Sequence, residues 1–110
     1  MKETMKSKLV RLLKDGNIEQ VDINFKCKTK DGMIYTLQTD AFKKESGTGE
    51  EFAEDIHNAA TGELLKLTEY AEKEGYWFAD EDMVSIRKSE IVRIWAELGD
   101  LYFADGRFPE

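Results

Sequence analysis

"VDINFKCKTKDGMIYTLQT", Val21 to Thr39, is the stretch whose reading decides the fold. Val21, Ile23, Phe25 and Cys27 alternate with Asp22, Asn24, Lys26 and Lys28, the two-residue period of a half-buried strand. Beyond Asp31–Gly32 the matching face is Met33, Tyr35, Leu37 and Thr39. The loop length sets the register. A two-residue Asp31–Gly32 loop would put Cys27 opposite Thr36 and Phe25 opposite Gln38, apolar against polar. A three-residue loop, Lys30–Asp31–Gly32, puts Cys27 opposite Tyr35 and Phe25 opposite Leu37, with Gly32 in the positive-φ bulge position. The second register is predicted, because a slip of one residue turns a whole face over. Cys27 then becomes a core thiol with no local base to activate it.

Outward from this hairpin, placed at 18–42, helices are predicted on both sides. Over 3–14, Met5, Leu9, Leu12 and Leu13 share one side and Lys2, Lys6, Lys8, Arg11 and Lys14 the other, with Asp15–Gly16 as the stop. After the polar loop "KKESGTGEE", Thr48 with Glu51 three residues on forms a capping-box pattern. It opens a helix over 50–60, with Phe52, Ile56 and Ala59/Ala60 buried and Thr61–Gly62 as the stop.

Residues 63–98 read two ways. "ELLKLTEYAEKEG" fits a helix closed by Gly75 and also alternates as a strand. "MVSIRKSEIVRIWAEL" is a helix by its flanks and a hairpin by its Val and Ile content, the latter with strands Met83–Arg87 and Ile91–Glu97 around a Lys88–Ser89–Glu90 turn. The hairpin is favoured, and residues 100–110 are left as a C-terminal tail. The prediction is a single small α+β domain: a mostly antiparallel sheet of two hairpins with two or three helices packed on it.

Composition narrows the function. The chain has 110 residues, one Cys, one His, one Pro and a net charge of −7. Length alone favours one domain, and a lone Cys favours a reducing, cytoplasmic setting. The start "MKETMKSKLVRLLK" lacks the apolar core of a signal peptide and is too short and charged to span a membrane. Residues 1–30 carry eight Lys/Arg against four Asp/Glu; residues 31–110 carry eight against nineteen. This split suits head-to-tail contact between copies or a basic partner, and equally two ordinary solvated faces. An acidic body is unsuited to gripping nucleic-acid phosphates directly, though it could occupy another protein's nucleic-acid groove.

No motif carries chemistry. His57 has no second imidazole or ligand spacing around it. Asp80, Glu81 and Asp82 are contiguous, so they point different ways on a strand and fan out on a helix, as expected of a turn or helix start. "SGTGEE" offers two glycines before a helix but no Walker lysine, and its glutamates would repel phosphate. No enzyme activity, cofactor or metal is expected.

The remaining signal is aromatic. Of two Trp, four Tyr and six Phe, seven fall after residue 75, in "YWFADED" (Tyr76–Asp82), at Trp95, in "LYFADGR" (Leu101–Arg107) and at Phe108. Three consecutive rings on a strand cannot all face one side, and Trp77 is expected to point outward. Candidate binding residues are Tyr76, Trp77, Phe78, Arg87, Arg93, Tyr102, Phe103 and Arg107, aromatics and arginines being the usual anchors of interfaces. The expectation is a non-catalytic small acidic binding protein that binds a host protein, as a homo-oligomer. Its size and composition are in the style of bacterial or phage accessory and inhibitor proteins. A sponge for a nucleotide-like ligand, held by the aromatics and arginines, is the second reading. A structural subunit of a larger assembly is the third.

Overall fold

The structure of the protein, a computed structural model, describes residues 4–14, 17–45, 47–79 and 83–104. In chain order the elements are α1 (Met5–Leu13), β1 (Ile18–Thr29), β2 (Ile34–Lys43), α2 (Gly49–Glu74), β3 (Tyr76–Ala79), β4 (Val84–Arg87), a 3-10 turn (Lys88–Glu90) and β5 (Ile91–Phe103). The fold is α+β, as predicted. β1 is the centre of a three-stranded antiparallel sheet of order β2-β1-β5, and β3 pairs with β4 in a separate two-stranded sheet.

The predicted alternation places β1. Val21, Ile23, Phe25 and Cys27 are fully buried. The turn is the three-residue one: the Gly32 amide donates to the Thr29 carbonyl (2.9 Å) and the Thr29 amide to the Met33 carbonyl (3.0 Å). Gly32 has φ 86°, the left-handed conformation that glycine adopts without a Cβ penalty. Asp31 accepts from the Met33 amide and from the Thr29 hydroxyl, which ties the loop down. Cys27 faces Tyr35 as expected, but Phe25 faces Gln38, not Leu37. A register shift between Phe25 and Lys26 leaves Leu37 as an extra residue, so each of the two candidate registers holds on one side of it. Leu37 thereby packs with Cys27, Ala79 and Ile86.

Burial pushes the Cys27 thiol upward, a backbone hydrogen bond from Tyr35 opposing it in part. The thiol is therefore expected not to react with a thiol-specific reagent near neutral pH in the folded protein. It should react fully once denatured; fast labelling of the native protein would contradict its placement.

α2 begins as predicted. Thr48 Oγ1 accepts from the Glu51 amide (3.1 Å) while Glu51 Oε1 accepts from the Thr48 amide (3.2 Å). It does not stop at Thr61–Gly62 but runs to Glu74, closed by Gly75 at φ 81°. The buried stripe explains this: Phe52, Ala53, Ile56 and Ala60 continue without a break into Leu67 and Ala71, while Ala59 is exposed. A mid-helix glycine costs about 1 kcal/mol, less than the burial of a leucine side chain contributes. The Thr61 hydroxyl is satisfied within the helix by the His57 carbonyl (2.8 Å). α1 starts from a Thr4 cap that accepts from the Ser7 amide (3.1 Å); its predicted Asp15–Gly16 stop lies outside the described residues.

The second hairpin is the main correction. The strands Val84–Arg87 and Ile91–Phe103 and the turn between them lie where "MVSIRKSEIVRIWAEL" predicts, but the two strands do not pair with each other. β4 pairs back onto β3, with Trp77 opposite Ile86 and Ala79 opposite Val84. β5 crosses to β1, with Ile94 opposite Cys27, Ala96 opposite Phe25 and Leu98 opposite Ile23. That pairing extends β5 through residues expected to be tail, to Phe103 opposite Ile18. The 3-10 turn is a crossover, held by the Lys88 amide on the Gly75 carbonyl and the Lys30 amide on the Glu90 carbonyl (both 2.9 Å).

The buried apolar side chains gather on one face of the large sheet. Under α1 and α2 the cluster comprises Leu9, Leu13, Val21, Ile23, Phe25, Phe52 and Ile56 with their neighbours. Towards the turn end, Cys27, Ala79 and Ile86 form a second cluster beneath the β3–β4 hairpin. Among the described residues no helix or strand is laid over the opposite face of the sheet. Among the described residues no helix is long and apolar enough to cross a membrane.

Candidate functional site

Strand alternation divides the β3–β4 hairpin into two faces. Trp77, Ala79, Val84 and Ile86 face inward; Tyr76, Phe78, Ser85 and Arg87 face outward, with Tyr76 opposite Arg87 and Phe78 opposite Ser85. Trp77, expected outward, is thus the inward ring. It packs against the core and contacts Tyr70 of α2, with centroids 4.7 Å apart and planes tilted by 37°. Ala79 and Ile86, both buried, decide this parity. Trp77 Nε1 is buried without a hydrogen-bond partner. Tyr76 and Phe78 are the exposed pair, at 43% and 44% of their surface, and Tyr70 adds a third exposed ring at 42%. Partial desolvation, and next the Tyr76 phenol nearby, raise the Tyr70 hydroxyl pKa.

A second polar-aromatic group lies on the open face of the large sheet. The Lys26 ammonium pairs with Glu97 (2.7 Å), and Trp95 Nε1 donates to the same carboxylate (3.2 Å). The Arg93 guanidinium lies over the Trp95 ring at 5.2 Å, a cation–π distance. Further along, the Tyr102 hydroxyl donates to Asp22 (3.0 Å).

Of the eight predicted site residues, the structure brings together Tyr76, Phe78 and Arg87. Arg93 and Tyr102 lie apart on the open sheet face, and Phe103 packs against the main core. Arg107 lies outside the described residues, as do Phe108 and the acidic run Asp80, Glu81 and Asp82. Tyr70, Lys26 and Glu97 were not singled out by sequence, and Trp95 was noted as an aromatic but not as a binding residue. Their neighbours are set by the extended α2 and by the β1–β5 pairing, which no local pattern announces.

The other candidates place as follows. His57 is half-buried with Nδ1 unpartnered. The glycine loop before α2 turns the Thr48 amide onto Glu51, occupying a donor that an anion would need. Among the described residues no three His, Cys, Asp or Glu side chains gather as a metal-ligand set.

The pKa shifts set a pH window. Glu97 is lowered chiefly by the hydrogen bond from Lys26, and Asp31 chiefly by that from the Thr29 hydroxyl. A lowered carboxylate stabilises the fold above its ordinary range, and that contribution is lost as pH falls through the folded value. Tyr102, hydrogen-bonded to Asp22, and Tyr70 are raised; their contribution is complete below the ordinary tyrosine value and is lost as pH rises through the folded one. Thermal midpoints are therefore expected to be flat around neutrality and to fall at both extremes, by small amounts because these groups are exposed. A midpoint rising steadily toward acid would contradict this.

The class that these features define is an α+β domain in which, among the described residues, two helices and a small hairpin lie on one face of an antiparallel sheet. No protein-family model, curated protein or solved structure gives a significant match to the chain.

Proposed function

We propose that the protein is a non-catalytic, acidic binding protein that docks on a protein partner through the outward face of the β3–β4 hairpin and acts as a homo-oligomer. The supporting observation is the set Tyr76, Phe78 and Arg87 on one face, two exposed rings beside a guanidinium. These residue types dominate interface energetics, and rings left in water gain most from being covered. The chain around them, net −7, favours a partner with a basic rim. This suits an accessory or inhibitor role in the cytoplasm of a bacterial cell, on the protein's own or a phage's behalf.

The nucleotide-sponge reading draws on Arg87 beside Tyr76. Against it, the open groove of about 410 Å³ next to Arg87 is also lined by Asp31 and Glu90, which oppose a phosphate.

The test is affinity capture from a lysate of the source organism, comparing the wild type with the double variant Tyr76→Ser/Phe78→Ser. The variant should fold, at a cost of about 1–2 kcal/mol because each ring is a little over half covered, and should lose the captured partner. A partner retained at wild-type yield would refute the site. Trp77→Ala, by contrast, should destabilise by about 3 kcal/mol because that ring packs against the core.

A further inference from the structure

We infer that two copies of the chain join along the free edge of β5, antiparallel and with the two-fold axis at Trp95, so that the two sheets become one of six strands. This specifies the self-association included in the proposed function and uses a different surface from the hairpin face.

The order β2-β1-β5 leaves the far edge of β5 without a strand partner among the described residues. At 13 residues it is long for an edge strand. From Arg93 to Leu98 its pairing with β1 runs without a register shift, so this stretch is regular on its inner side and presents an even row of backbone groups outward. A groove of about 290 Å³ between α2 and Ile91–Ile94 leaves the start of that edge uncovered. Val92, at 63% exposure, is the large apolar residue left in water there.

The side chains select both occupant and register. Arg93 lies directly opposite Lys28 on β1, a like-charge cross-strand pair, and takes part in neither the Lys26–Glu97 nor the Lys88–Glu72 ion pair. Arg93, Trp95 and Glu97 share the open face, two residues apart. With the axis at Trp95, Arg93 of each copy comes opposite Glu97 of the other, twice over, and the two indoles meet at the centre. On the covered face Ile94 meets Ala96. Moving the axis to Ile94 or Ala96 pairs Glu97 with Ile91 or with Trp95 and leaves Arg93 without its opposite charge. Only the Trp95 register matches charge with charge, which makes an identical strand the fitting partner.

The test uses the full chain with sedimentation or size exclusion coupled to light scattering. The wild type should dimerise, while Arg93→Glu and Glu97→Arg alone should each weaken dimerisation about tenfold or more, since each sets two like-charge contacts against each other. Mixing the two variants should restore the dimer, because both contacts then become Arg–Glu. Trp95→Cys should give a disulfide-linked dimer under mild oxidation. A wild type that is monomeric up to about 1 mM would overturn the inference. So would a dimer that neither charge variant weakens, or a mixture no tighter than its components. Tyr76→Ser/Phe78→Ser should leave this dimer intact, so failure here is separable from failure of the hairpin-face reading.

Discussion

Phe25→Ala is expected to cost about 3–5 kcal/mol, a large share of the 5–15 kcal/mol that typically separates folded from unfolded states. Phe25 is fully buried on the central strand, and it is the largest of the fully buried side chains. Its cross-strand neighbours are Ala96 on β5 and Gln38 on β2. Neither can fill the space left by a ring: Ala96 is too short, and Gln38 is committed through its amide to Asp40 (2.8 Å) and Glu63 (3.0 Å). The full cavity term should therefore be felt, beyond the loss of transfer energy. Urea unfolding with an unchanged slope and a lowered midpoint would show it. Phe25→Leu, which keeps most of the volume, should cost under about 1.5 kcal/mol. A loss below about 1 kcal/mol for Phe25→Ala would mean that the helices do not close over this part of β1.

Gly49→Ala is expected to destabilise by about 2–3 kcal/mol, against what helix propensity predicts. A Cβ at Gly49 would lie 1.9 Å from the Leu13 carbonyl oxygen, where the end of α1 rests on the start of α2. Backbone cannot turn aside as a side-chain tip can, so the two helices must part. The internal control is Gly62→Ala in the same helix, where a Cβ meets nothing within 4 Å. That substitution should stabilise by up to about 1 kcal/mol. Opposite signs for the same change at two positions of α2 would appear as thermal midpoints moving apart, by roughly 4 °C or more per kcal/mol. Equal shifts would contradict the α1–α2 contact.

The contrast between these two glycines also shows what could be read in advance. Alternation over Val21–Cys27 and the Lys30–Gly32 turn are local signals, and they predicted the first hairpin down to the Cys27–Tyr35 pair. The extra residue at Leu37 is not local, because it depends on Ile86 and Ala79 arriving from far along the chain to receive it. Gly62 looks like a stop until the stripe is followed to Leu67 and Ala71. For "MVSIRKSEIVRIWAEL" the strands were legible but their partners were not, since β-branched content says that a segment is a strand and nothing about which neighbour it takes. The candidate site divides in the same way. Alternation within "YWF" required that rings face both ways, but the parity came from Ala79 and Ile86, which reversed the choice of Trp77 and left Tyr76 and Phe78 outward. The Lys26–Glu97–Trp95 group joins strands from opposite ends of the chain, so only the β1–β5 pairing could reveal it.

The most direct test of the proposed binding face is photo-cross-linking with benzoylphenylalanine placed at Phe78 and, as a control, at the exposed Lys66 of α2. Irradiation in cells of the source organism should give one discrete protein adduct from position 78 and none from position 66. A partner that still co-purifies with the photo-labelled protein but forms no adduct at position 78 would contradict the account.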